Sequence, residues 1–231
     1  MDLIWDGLRE SLDILRSGDF DLWQITLRSL LISGSAVALS LVFGVMIGAA
    51  LAFNDFRGRS FLVTLVNTGM GLPPVVVGLL VAIFLWRSGP LGEMRLIYTP
   101  VAMVIAQTII ATPIVTGFTT AALRHLDPRL RTQVYALGAS RLQMLRIILW
   151  ETKLPLLAAV MAGFGGAISE IGASIMVGGN LAGETRVLTT AVVLEVSRGN
   201  FAPAIALSFI LLILIFIVNL VLTSVQQQES A

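Results

Sequence analysis

The sequence predicts an all-α membrane protein of about five transmembrane helices with an amphipathic helix at the N-terminal end. Three observations carry that prediction. The 231 residues are 56% hydrophobic and 13% charged, about half the charge of an ordinary soluble domain. Mean hydropathy is +0.91. The apolar runs are long and unbroken, whereas strands of a membrane barrel alternate apolar and polar over about 10 residues.

About 20 apolar residues cross a bilayer, and five stretches qualify: 27–53, 61–86, 98–122, 154–178 and 204–225. Between them no soluble domain fits, so one transmembrane domain is expected over 23–226, with a short tail at 227–231. Residues 1–22 differ. Ile4, Trp5, Leu8, Leu12 and Leu15 share one helical face, and Asp2, Asp6, Arg9, Glu10, Asp13 and Arg16 fall elsewhere. This is the pattern of a helix lying in the membrane interface; a helix packed on the protein's own surface fits it equally. Acids stand where a cleavable signal needs basic residues, so no signal is expected.

Composition also excludes chemistry. With no cysteine and one histidine, His125, thiolate or histidine metal sites and cysteine nucleophiles are not expected. A net charge of +1 gives no footprint for nucleic acid. The single lysine, Lys153, precedes Leu154, so there is no phosphate-binding loop of the G-x-x-x-x-G-K-[ST] type. No catalytic residue and no metal ligand is assigned.

Five spans put the two chain ends on opposite sides. The overall tally of cations is close to even, but Arg57 and Arg59 crowd one very short loop, and six cations collect in the loop 123–153. The positive-inside rule then places those two loops in the cytoplasm, the N-terminus outside and the C-terminus inside.

That central loop has helix punctuation. Asp127-Pro128 supplies a capping carboxylate and a proline at the first helical position. Gly138 is a left-handed stop, and Ser140 caps a second helix with Arg141 in its first turn. Leu137, Leu142, Leu145 and Ile148 give this helix–glycine–helix elbow an apolar side. Docking into a partner's groove and packing against the ends of the spans both account for it.

Pro73 and Pro74, preceded by Gly69 and Gly71, interrupt the second span. A half-helix starting near Pro74 would leave a positive dipole end open, either to line a route or as a kink that fits neighbouring helices. Glu170 is the one ionisable residue deep in a span; such groups face a cavity or a partner. A structural role bonded to backbone or hydroxyls is favoured, with proton coupling as the alternative. "VLTTAVVLEV" (187–196) is too short to span and reads as a re-entrant or interfacial helix at the external mouth. Thr185, Thr189, Thr190, Asn180 and Arg186 would offer donors there, or the helix simply caps the bundle. Gly44-x-x-x-Gly48 and the Gly163, Gly165, Gly166 cluster are read as contacts inside one subunit. Trp5, Trp23 and Trp86 fit an aromatic belt.

"ALGASRLQMLRIILWETKLP" (136–155) resembles the coupling-loop signature of ABC importer permeases, E-A-A-x-x-x-G followed by I-x-L-P. Gly138 matches the glycine and Leu154-Pro155 the closing L-P. Thr132, Gln133 and Val134 stand where E-A-A would be, and the spacing to Pro155 is about one helical turn longer. "GLPPVVVGLL" (71–80), "ATPIVTGFTTAAL" (111–123) and "ISEIGASIMVGGNLAGETRVLTTAV" (168–192) are similar to permeases for tetrahedral oxyanions, most of all the tungstate branch.

The resemblance implies a type I ABC importer transmembrane domain in a bacterial or archaeal cytoplasmic membrane, in contact with lipid. It implies alternating access for tungstate, or for molybdate or sulfate; an ion-coupled secondary transporter is the rival of another class. It implies a second copy of the chain, a pair of ATPases that bind ATP and Mg, and a periplasmic or lipoprotein oxyanion-binding protein. Ala136, Leu137, Gly138, Ala139, Ser140 and Arg141 would couple to the ATPase. Pro73, Pro74, Glu170, Asn180, Arg186, Thr189 and Thr190 would form the pathway or gate.

Overall fold

The computed structural model describes Trp5, Arg9 and residues 20–228. Among the described residues there are ten α-helices and no strand: α1 Phe20–Phe53, α2 Arg59–Met70, α3 Pro74–Leu85, α4 Pro100–Arg124, α5 Pro128–Ala136, α6 Arg141–Glu151, α7 Lys153–Ile168, α8 Gly172–Gly178, α9 Leu188–Ser197 and α10 Phe201–Gln228. The expected N-terminal interfacial helix lies outside the described residues except for Trp5 and Arg9, which are helical. The described part of α1 begins at Phe20, inside the segment read as that helix.

Among the described residues three helices are long and apolar enough to cross a membrane by themselves: α1, α4 and α10. Two further spans are possible if bent pairs count as one each. α2 and α3 meet at 101°, and α6 and α7 at 74°. The first bend falls where two prolines were expected to break the span. The fourth expected stretch, 154–178, is interrupted too, between Ile168 and Gly172.

α1 and α4 form the spine. A β-carbon at Gly44 would sit 2.7 Å from Val115 Cγ1, and one at Gly48 2.7 Å from Thr119 Cβ. The G-x-x-x-G pair therefore brings two helices of the same subunit together, as expected. α4 is built to be buried in apolar surroundings. Thr108, Thr112, Thr116 and Thr120, four residues apart and hence on one face, each donate to the carbonyl one turn back at 2.7 Å. Every hydroxyl proton of that row is thereby satisfied where water is scarce.

α2 lies on the C-terminal half of α4, with Gly69 against Pro113 and Met70 against Gly117. α3 lies on its N-terminal half, where Val77, Val81 and Leu85 pack with Ala102, Met103 and Ala106. α8 joins that cluster through Ala173 and Val177. α10 covers α7 and α1 on the other side, with Leu211 and Leu214 against Val37, Phe164 and Ile168.

Candidate functional site: a protruding elbow and a pair of broken helices

The elbow forms as the residues dictate. Asp127 Oδ1 accepts the Arg129 N–H at 2.8 Å and starts α5 at Pro128. Gly138 takes φ +79°, a left-handed conformation that costs an ordinary L-residue about 1–2 kcal/mol. The Ala139 N–H closes back onto the Val134 carbonyl at 3.3 Å. Ser140 then caps α6. Its Oγ accepts the Gln143 N–H (3.3 Å), and Gln143 Oε1 accepts the Ser140 N–H (2.8 Å). This reciprocal capping box was legible as S-x-x-Q, although only the serine was singled out.

The four leucine and isoleucine side chains do not share one face. Ile148 is 1% exposed and, with Val134 and Met144, buries against Ala49 of α1 and Leu123 of α4; Leu145 packs beside them. Leu137 and Leu142 point away, 86% and 77% exposed. The elbow thus packs against the ends of the spans, as one of the two readings held. Its inner side is locked to the ends of two spine helices, and its tip projects apolar side chains outward. A β-carbon at Gly138 would meet nothing within 4 Å, so the tip is open on that side. Ala136, Leu137, Gly138 and Ser140 are exposed and Ala139 half-buried, while Arg141 is the first residue of α6. At the far end Thr152, 2% exposed, donates to the Ile148 carbonyl at 2.9 Å and occupies the corner where α6 turns into α7.

The second constellation joins the two interrupted helices. α3 begins at Pro74 with Pro73 as N-cap and no side chain capping it; Leu72, Pro73, Val75 and Val76 around that start are exposed. The start of α8 lies beside it. A β-carbon on Gly172 would fall 2.6 Å from Val75 Cγ2, and one on Gly78 would fall 2.6 Å from Ala173 Cα. Glu170 is buried, and its Oε1 accepts the Ala173 N–H at 2.9 Å. The carboxylate is therefore spent on the start of α8, a bonded structural position of the kind its burial requires. Ser169 Oγ returns to the Gly165 carbonyl at 2.7 Å. The Glu170 side chain, turned onto the Ala173 N–H, marks the place where the stretch 154–178 is interrupted.

Thr189 Oγ1 donates to the Glu170 carbonyl at 3.3 Å. Thr190 Oγ1 accepts the Val187 N–H at 3.1 Å, and Thr185 Oγ1 donates to the Gly178 carbonyl. The expected free threonine donors are thus bonded to backbone and fix α9 and the loop before it. Asn180, in a left-handed conformation at φ +52°, donates from Nδ2 to the Thr190 carbonyl at 3.3 Å, and Arg186 Nη2 reaches the Asn180 carbonyl at 3.5 Å. Asn180, Arg186 and Thr190 therefore do come together, and Glu170 with Thr189. Asn180 Oδ1 and Arg186 Nε are buried without a partner.

One residue of this region was not singled out. Arg28 of α1 donates to the Arg186 carbonyl (3.0 Å) and the Gly183 carbonyl (2.6 Å), holding the loop 179–187 against α1. Its signal was present: a lone cation at the edge of an apolar run. Nearby, the Tyr98 N–H bonds the Val177 carbonyl at 2.8 Å, and Tyr98 meets Trp86 edge to face. A cavity of about 910 Å³ opens beside them, lined among others by Trp86, Arg87, Glu93, Arg95 and Tyr98.

Comparison with known proteins agrees with this geometry. Residues 40–229 match the family described as "Binding-protein-dependent transport system inner membrane component". The chain is 41% identical to a probable anion ABC transporter permease protein of Haloferax volcanii, over 85% of this chain and 87% of that one. It is 36% identical to the tungstate uptake system permease protein TupB of Peptoclostridium acidaminophilum, over 99% and 100%. Against the molybdenum permease ModB of Escherichia coli it is 30% identical over 73% and 77%. In fold it is similar to the inward-facing MetNI methionine ABC transporter, with a TM-score of 0.73 at 17% identity, over 90% of this chain and 95% of that chain. The chain belongs to the family of binding-protein-dependent transport system inner membrane components.

Proposed function

We propose that this chain is the membrane subunit that carries tungstate inward, working as a pair of copies driven by two ATPases. The observation that carries the reading is the elbow. Its inner side is buried against α1 and α4, while Leu137 and Leu142 stand exposed on either side of Gly138. A push on that tip is transmitted to the spine because Val134, Met144 and Ile148 leave no slack there. ATP and Mg belong to the partner; the residues of this chain position helices and do no bond chemistry.

The anion is taken from the likeness to TupB, which runs over nearly the whole chain and exceeds the likeness to molybdate and sulfate permeases. A doubly charged oxyanion pays tens of kcal/mol to enter hydrocarbon bare, so it needs oriented donors along a wet route. The uncapped start of α3 offers its helix dipole and the Val75 N–H, since Pro73 and Pro74 carry no N–H and the Val76 N–H bonds the Pro73 carbonyl at 2.9 Å. Glu170 is buried with Oε1 accepting the Ala173 N–H, which fixes its carboxylate at the start of α8. The loop 179–187 and α9, with Asn180, Arg186, Thr189 and Thr190, would form the external mouth and the contact for an external binding protein. The elbow would then face the cytoplasm.

The test is uptake into liposomes holding the chain with its ATPase and binding protein. Tungstate should accumulate only with ATP inside, and unlabelled tungstate should compete better than molybdate, and molybdate better than sulfate. Uptake without ATP, or sulfate competing best, would refute the assignment.

A further inference from the structure

We propose that the groove where α6, α7 and the end of α10 meet is a binding site for an anionic phospholipid. The groove is an open furrow of about 710 Å³. Leu149, Leu157, Val160 and Val225 supply apolar wall from all three helices, and Arg146, Trp150 and Lys153 supply the rim. None of the described residues that line it is acidic.

The depth is set by the helices. α6 leaves α7 at 74°, so with α7 crossing the bilayer α6 runs close along its surface. Val225 is the last apolar residue of α10 before Gln226, Gln227 and Gln228, which marks the same boundary from the other side. Trp150 is 68% exposed, and the Lys153 ammonium lies 4.6 Å from its ring centroid. Exposed indole at the headgroup level is the usual anchor of a membrane protein. A long basic side chain there keeps its stem on apolar surface and its charge at the polar boundary.

An apolar slot that opens at two cations is complementary to one chemistry: an acyl chain ending in an anionic phosphate ester. The chain would lie along Leu149, Leu157 and Val160, and the headgroup between Arg146 and Lys153. A lipid there fills the angle between the elbow and its span. It would stiffen the corner at Thr152 through which movement of the elbow reaches α7.

The experiment is native mass spectrometry of the full-length chain, released from micelles holding equal amounts of phosphatidylglycerol and phosphatidylcholine. Wild type should retain phosphatidylglycerol. Arg146→Gln with Lys153→Gln should lower that preference about 30-fold, from about 1 kcal/mol per cation, and leave phosphatidylcholine adducts unchanged. Val160→Trp keeps both cations, fills the slot and should displace the lipid; it guards against a misfolded double variant. Glycerol phosphate, the headgroup alone, should not protect the chain from thermal unfolding at concentrations where phosphatidylglycerol does. Retained preference in the double variant would overturn the proposal, as would equal protection by glycerol phosphate. So would a photo-crosslinker at position 150 that captures the ATPase or a second copy of the chain rather than lipid in native membranes.

Discussion

Replacing Gly78 by alanine tests the contact between the two interrupted helices. A β-carbon at position 78 falls 2.6 Å from Ala173 Cα and 3.1 Å from Ala173 Cβ, where ordinary contact begins at 3.4 Å. The obstacle is backbone and cannot rotate away, so α3 and α8 must part by about 0.8 Å. That opens the cluster of Val77, Val81, Ala173 and Val177, all buried. Overpacking of this kind costs about 1–3 kcal/mol. The same substitution at Gly165 of α7 meets nothing within 4 Å and gains the helix preference of alanine over glycine, up to about 1 kcal/mol. Because both changes carry that preference, the difference between them isolates the steric term. Denaturant unfolding in mixed micelles, read by circular dichroism, should place Gly78→Ala about 1–3 kcal/mol below Gly165→Ala. Uptake by Gly78→Ala should fall as well. Equal stabilities, or Gly165→Ala as the weaker protein, would refute the claim that α3 and α8 touch along Gly78.

Three further outcomes follow from single hydrogen bonds. Glu170→Gln keeps an oxygen for the Ala173 N–H, so uptake should match wild type at every pH tested; Glu170→Ala loses the bond and should unfold about 1 kcal/mol earlier. Ser140→Ala removes half of the capping box, and hydrogen exchange at residues 141–144 should quicken about fivefold for a loss near 1 kcal/mol, with the amides of α4 unchanged. Arg28→Ala frees the carbonyls of Gly183 and Arg186, and exchange in the loop 179–187 should rise about tenfold, with uptake reduced.

What the sequence made legible were features whose causes are local. Asp127-Pro128, Gly138 and Ser140 each specify a cap or a stop by themselves, and the elbow follows from them in order. The break before Pro74 is equally local, since two consecutive prolines deny the helix its donors. The interruption at 169–171 was hidden because what marks it is a side chain turning onto backbone. Glu170 reaches the Ala173 N–H, and no proline or left-handed glycine marks the place. Periodicity also grouped Leu137 and Leu142 with Leu145 and Ile148. A glycine stop between two helices changes which way each faces, and only the packing on Ala49 and Leu123 separates buried from projecting members. Gly69, read as softening a turn, is small because Pro113 of α4 lies against it, a contact 44 positions away in sequence that no local pattern carries. Thr189 and Thr190 looked like donors for a ligand; in the fold their hydroxyls serve the backbone.

The account rests on the elbow tip being held by another protein. The chain contains no cysteine, so Leu137→Cys introduces a single thiol at a side chain that is 86% exposed. A bifunctional thiol–amine reagent applied to native membranes should join position 137 to the ATPase subunit, with a yield that changes when nucleotide is added. Ile148→Cys, buried at 1%, should give no such product. Cross-linking of position 137 only to lipid or to its own bundle, with no ATPase captured in any nucleotide state, would contradict the account.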